Sequence, residues 1–220
     1  SSYSISDVLL NLARLDRDLL DTSITKHSSG VAVLAQSGKM EESEHITAAD
    51  ITKLLGVLRT HYDRVIIDGV RGFDELALAA LDASQILLMM MTQDVPAIRN
   101  AQRCLELFGR LGYDQQKVKL VLNRYHKDSK ISLDVIAETL KVPVAHTLSN
   151  DFVSIIDSIN RGVLLFEAAP RAQLTLDIAS LCGLVSQEPA APVAEIAPEL
   201  SRTKSFLRGL WSRRSADGTT

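Results

Sequence analysis

The stretch ILLMMMTQDVPAIRNAQRCLELFGRLGYDQQKVKLVLN, residues 86–123, carries the fold. Its two ends, Ile86–Met91 and Val118–Leu122, are almost continuously apolar, the pattern of strands covered on both faces in a parallel sheet. Between them Asp94 precedes a helical pattern with Pro96 in its first turn. That pattern runs through Ile98, Cys104, Leu105, Leu107 and Leu111 and stops at Gly112. A strand, a capped helix and a second strand make one βαβ unit. Outward from it, Val31–Ala35, Arg64–Asp68 and Val142–His146 read as further strands. Helical patterns cover Ile5–Leu20, Asp74–Asp82, Leu133–Leu140, Asp151–Asn160 and Ala172–Leu181, and Thr47 with Asp50 opens another through Leu58. The expected class is α/β: a doubly wound, mainly parallel sheet of at least five strands with helices on both faces.

Composition sets the bounds. The 220 residues are 46% hydrophobic and 23% charged, as in globular chains, and their net charge of −3 does not advertise nucleic-acid binding. The longest apolar run is Ile86–Met91, far short of a membrane-spanning helix. Cys104 and Cys182 stand alone, which argues against a disulfide framework or a zinc site and makes a reducing cytoplasm the expectation. The chain begins Ser1-Ser2-Tyr3 without Met, as an excised fragment would. From residue 186 the composition changes. Pro189, Pro192 and Pro198 mark a Pro/Ala-rich linker over 186–200, and residues 201–220 form a basic tip after a body at 1–185.

In an open α/β sheet ligands sit beyond the carboxyl ends of the strands, so the residues there are the candidates. Asp68 closes RVIID and reads either as a magnesium-side acid or as a turn cap before Gly69. Asn123 and Arg124 close KLVLNR; the amide can pair with a base edge or simply form a turn. Ser149, Asn150 and Asp151 open a helix and offer backbone amides to a ligand, or form an ordinary capped loop. Asp94 reads as an N-cap. Gly38-Lys39 is not a phosphate loop, because Val33 and Met40 stand where glycine and Ser/Thr are required. Met89, Met90 and Met91 read as packing, and the five histidines lack ligand spacing.

Taken together, Leu81-Asp82-Ala83, Gln93-Asp94-Val95-Pro96 with Arg99-Asn100-Ala101, and Leu120–Tyr125 (LVLNRY) resemble the deviant-Walker-A ATPases of the MinD/ParA class. The resemblance extends over residues ~5–185 and is greatest to the pilus-assembly branch, the TadZ/CpaE proteins. It implies a P-loop NTPase-like fold and the role of an ATPase-family spatial organiser for Flp-type pilus and secretion machinery. A MinD- or ParA-type positioner of division sites or chromosomes and a nucleotide-free interaction module are the alternatives. It further implies ATP and Mg2+ as cofactors, with Asp68 as the magnesium-holding acid, Asn123 and Arg124 beside the adenine, and Ser149, Asn150 and Asp151 in the loop next to the base. A homodimer, pilus and secretion assembly proteins as partners, and a cytoplasmic place peripheral to the inner membrane or at a pole complete the expectation. Two departures stand out. Leu148-Ser149 replaces the family's Ile-Pro, and Gly69-Val70-Arg71 replaces a proline-containing switch. The family's phosphate loop precedes every segment matched, so residues 1–220 alone are expected to be inactive toward ATP.

The tip adds one more expectation. Phe206, Leu207, Leu210 and Trp211 fall on one face if helical, flanked by Arg208, Arg213 and Arg214 with Arg202 and Lys204. Such a face is suited to an anionic membrane surface or a groove on a partner; the other reading is a solvated, disordered tail.

Overall fold

Three of the apolar runs form one parallel sheet. In the computed structural model, which describes residues 4–12, 17–36 and 45–186, β3 (Leu87–Met91), β4 (Val118–Tyr125) and β5 (Val144–Ser149) lie in the order β3-β4-β5. They follow four helices, α1 (Ile5–Leu10), α2 (Arg17–Ser23), α3 (Ala48–His61) and α4 (Glu75–Ala83), and the two-residue strands β1 (Thr25–Lys26) and β2 (Ala32–Val33). Leu87 to Met91 pair in step with Val118 to Leu122, and Val121 and Leu122 pair with His146 and Thr147.

Consecutive β4 side chains alternate between two cores, as a pleated strand requires. Leu120 and Leu122, both fully buried, pack with Met91, Ile98, Ala101, Ile136 and Leu140 on the face covered by α5 (Val95–Leu111) and α6 (Leu133–Leu140). Val121, also fully buried, packs with Leu148 and Leu174 on the other face. That face is covered from α7 (Phe152–Arg161), α8 (Leu165–Ala168) and α9 (Gln173–Ser186) by Ile155, Leu165, Ile178 and Leu181. Helices therefore flank the sheet on both faces, and the class is α/β.

The helix starts follow local chemistry. Asp94 accepts the Ala97 N–H at 2.9 Å, Pro96 occupies the first turn of α5, and Gly112 ends it with φ +82°. Thr47 and Asp50 form the expected capping box of α3, and Asp74, Ser132 and Asp151 cap α4, α6 and α7.

Two compact units result. The first, among the described residues up to Ser84, holds α1 to α4 and the β1–β2 pair around Val8, Leu9, Leu20, Leu54 and Leu58. The second, from Gln85, holds the parallel sheet and its helices.

Five expectations need correction. The parallel sheet has three strands among the described residues, not five. Val31–Ala35 contributes only Ala32–Val33, which pairs antiparallel with Thr25–Lys26 across a tight turn at Gly30. Arg64–Asp68 is no strand: it enters no ladder, and Ile66 is 90% exposed. An apolar run becomes a strand only where a neighbouring strand forms a ladder with it, and among the described residues none does so here. Ile5–Leu20 is not one helix; α1 stops at the Asn11 cap, whose side chain donates to the Asp7 carbonyl at 2.9 Å. The last strand begins at Val144, two residues later than its apolar pattern, because Val142 is drawn into the α5–α6 core.

Candidate functional site

The carboxyl ends of β3, β4 and β5 meet at one edge of the second unit. Gln93, just past β3, ties two of them: its Oε1 accepts the His126 N–H at 3.1 Å, and its Nε2 donates to the Ile131 carbonyl at 2.7 Å. Asn150, just past β5, reaches across to His126, with Nδ2 to Nε2 3.2 Å. So Gln93 and Asn150 link the three strand ends through the backbone N–H and the ring of His126.

Asn123 sits where β4 reaches this edge. Its Oδ1 accepts the Arg124 N–H at 2.9 Å, and Arg124 takes φ +54°, a left-handed conformation that costs a non-glycine residue about 1–3 kcal/mol. Strain of this kind concentrates at working sites. Asn123 also lines a cleft of about 350 Å³ together with Met89, Met91, Thr92, Asn100 and Cys104. Apolar walls with two carboxamides and a hydroxyl suit a flat, partly polar ligand. Burial raises the pKa of the Cys104 thiol, so it meets that cleft as a neutral apolar group.

Several polar groups near the edge are already committed. The Ser149 N–H donates to Asp177 Oδ2 at 2.8 Å, and Gln173 donates to Asp177 Oδ1 at 2.8 Å. Burial pushes the Asp177 carboxyl up, but these hydrogen bonds and the nearby His146 outweigh it and hold the pKa below the ordinary value. His146 Nε2 lies 2.8 Å from the Asp177 carbonyl. Asp151 accepts the Ser154 N–H at 3.0 Å as the α7 cap, and hydrogen bonding from Ser154 lowers its pKa. Asp94 is held low by the Thr92 hydroxyl and then by the Ala97 amide, as an N-cap should be.

The structure thus brings Asn123, Arg124, Ser149, Asn150 and Asp151 to the edge formed by the ends of β4 and β5. Of these, Ser149 and Asp151 spend a donor and an acceptor internally. Asp68 belongs to the first unit, exposed before Gly69 at φ +83°. Phe206, Leu207, Arg208, Leu210, Trp211, Arg213 and Arg214 lie outside the described residues. Among the described residues no group of three His, Cys, Asp or Glu is placed to hold a metal ion, and no helix is long and apolar enough to cross a membrane. Sequence reasoning missed His126, Gln93 and Asp177. The first two also follow strands, so the strand-end rule that picked out Asn123 would have found them.

No protein-family model matches the chain. It is similar to the septum site-determining protein MinD of Thermotoga maritima, 25% identical over 135 residues, 59% of this chain and 49% of that protein. The MinD of Synechocystis is 26% identical over 165 residues, covering 73% and 59%. A putative MinD of Tupiella akineta is 27% identical over 166 residues, covering 73% and 52%. The chain spans about half the length of the curated relatives it matches. Among solved structures, a ParA family ATPase from Chlorobium tepidum superposes with a TM-score of 0.78 at 23% identity, over 82% of this chain and 75% of that one. MinD complexed with Mg-ADP from Pyrococcus horikoshii gives 0.69 at 16%, covering 85% and 74%. A MinC:MinD complex from Aquifex aeolicus gives 0.68 at 18%, covering 86% and 75%. The fold is that of the MinD/ParA P-loop NTPases, and the sequence is similar to that ATPase family.

Proposed function

We propose that these residues are the base-side part of a MinD/ParA-type positioning ATPase of the TadZ/CpaE kind, an organiser of Flp-type pilus and secretion assembly. The observation that carries the reading is the convergence of Asn123, His126 and Asn150 on the carboxyl edge of a parallel sheet, beside an apolar cleft. Similarity to MinD and ParA supports the family; the DVP and RNA runs over 94–101 and LNRY at 122–125 support the pilus branch.

In this reading Asn123 and Arg124 orient the adenine, and Ser149–Asp151 border it. The residues present suit the base: the cleft is lined by apolar side chains together with the carboxamides of Asn100 and Asn123. For the metal, Asp68 alone is consistent with Mg2+, which commonly takes one or two carboxylates and completes its octahedron with phosphate oxygens and water. When bound, Mg2+ and ATP supply the phosphoryl chemistry. The sequence 1–220 contains no G-x-x-x-x-G-K-[ST], so in this reading these residues do not by themselves cradle the β and γ phosphates. The active form is a homodimer at the inner face of the cell membrane or at a pole.

Calorimetry on the full-length parent tests the site. Asn123→Ala is expected to weaken Mg2+-dependent ATP binding about tenfold, or about 1.4 kcal/mol. Unchanged affinity removes Asn123 from the site, and tight Mg2+-dependent binding by residues 1–220 alone would show that they do cradle the phosphates. Deletion of the gene tests the role. Loss of pili with normal septa supports the organiser; misplaced septa favour the MinD-type reading, to which the septum site-determining relatives point.

A further inference from the structure

Helix α5 carries a charged ridge on its outer side. Arg99, Arg103, Glu106 and Arg110 recur at i, i+4, i+7 and i+11, so they fall in one line along the helix, opposite the buried Ile98, Ala101 and Phe108. All four are exposed. Glu106 is engaged by Gln102, whose Nε2 donates to its Oε1 at 3.3 Å. The three arginines make no ion pair or side-chain hydrogen bond among the described residues. Beside α5, on the same sheet face, lies α6 with the opposite sign. Asp134 and Glu138 stand four apart on its exposed side, away from the buried Ile136 and Leu140, and they too are unpaired among the described residues. The two ridges do not pair with each other because both point outward from the core that α5 and α6 share.

We infer that this face binds a second copy of the chain about a two-fold axis, with α5 of each copy against α6 of the other. Three observations choose this occupant. The first is spacing: Arg99 to Arg103 and Asp134 to Glu138 are each one i, i+4 step, about 6 Å along a helix. The second is direction. Helices α5 and α6 each connect successive parallel strands, so they run the same way. A two-fold axis normal to the face reverses the second copy, so Arg99 meets the partner's Glu138 and Arg103 the partner's Asp134, and the same two pairs form again by symmetry. The third is charge. Residues 94–130 carry eight basic and four acidic residues, net +4, and residues 131–186 three basic and six acidic, net −3, so two copies attract only where unlike parts meet. Val135, 48% exposed next to Asp134, adds an apolar contact. Exposed ion pairs are individually weak, so the dimer is loose and salt-sensitive. It does not depend on the nucleotide reading.

Sedimentation velocity of the 220-residue chain without nucleotide tests it. At roughly 0.1 mM, where weak complexes are populated, a dimer is expected at low salt. Raising NaCl from about 0.1 M to about 1 M cuts the screening length from about 10 Å to about 3 Å and should weaken association roughly tenfold. Arg99→Glu with Arg103→Glu should leave the chain monomeric, and so should Asp134→Arg with Glu138→Arg. Mixed in equal amounts, the two variants should associate again, because each supplies the sign that the other lacks. Far-UV circular dichroism matching the wild type confirms that both fold. A wild-type chain that stays monomeric overturns the proposal. So does a dimer that survives in either variant, which assigns the contact to another face, and so does a mixture that stays monomeric. Dimerisation seen only with Mg2+ and ATP assigns it to the nucleotide site and overturns this face equally.

Discussion

The two units contain comparable apolar runs, Arg64–Asp68 in the first and Ile86–Met91 in the second, with opposite outcomes. Leu87–Met91 pairs residue for residue with Val118–Leu122, and Met91 is buried against Ile98 and Leu120. Arg64–Asp68 joins no ladder, and most of its apolar surface is open, although Val65 packs on the first unit's core. The lesson concerns partners. A helix completes its hydrogen bonds within itself and needs only a face to bury, whereas a strand is defined by its neighbours.

The largest expected effect tests that difference directly. Leu122→Ala, at a site with no exposure, should destabilise the second unit by about 2–5 kcal/mol. Ile66→Ala should stay within about 0.5 kcal/mol, because there is almost no burial to lose. Urea denaturation of both variants measures the contrast. Equal losses would mean that Arg64–Asp68 is covered in solution.

A middling effect belongs to the caps, which act alike in both units. Thr47→Ala at α3 and Ser132→Ala at α6 should each cost about 1 kcal/mol, since each hydroxyl accepts an amide of the first turn at 3.3 Å. Thermal melts of the two variants should shift down together. A loss at only one would show that its neighbour in the fold, not the cap, holds that helix.

The smallest effect is a pH dependence confined to the second unit. The folded pKa of Asp177 lies below its ordinary 3.8, so the stability it contributes is present above that value and is lost as pH falls through the folded pKa. Asp177→Asn should therefore lower the melting temperature slightly at pH 7, converge on the wild type in acid, and so flatten the fall between pH 5 and pH 3. An unaltered acid limb would show that the Ser149 and Gln173 hydrogen bonds carry no net linkage.

Much of the second unit is legible in sequence for a local reason. The Asp94 cap, Pro96 and the positive-φ Gly112 mark both ends of α5 within a few residues of each terminus. The strand-end rule likewise finds Asn123 and the 149–151 loop. The rest of the site is not legible this way. His126 and Asn150 are 24 positions apart, and Gln93 is 38 from Ile131; only the parallel order of β3, β4 and β5 brings them within bonding distance. The internal use of the Ser149 amide depends in the same way on α9 packing over β5.

By itself, then, the sequence determined where α3 to α7 begin, which runs are apolar enough to be strands, and that the class is α/β. Caps, proline and glycine act on their own turn, so short-range chemistry suffices. Only the tertiary structure decided which apolar runs pair, that three of them make the parallel sheet, that Ala32–Val33 turns back antiparallel, and that Gln93, His126 and Asn150 meet. Each of these depends on groups distant in the chain competing for the same hydrogen bonds and the same buried surface, and that competition is settled by the folded neighbours rather than by any one segment.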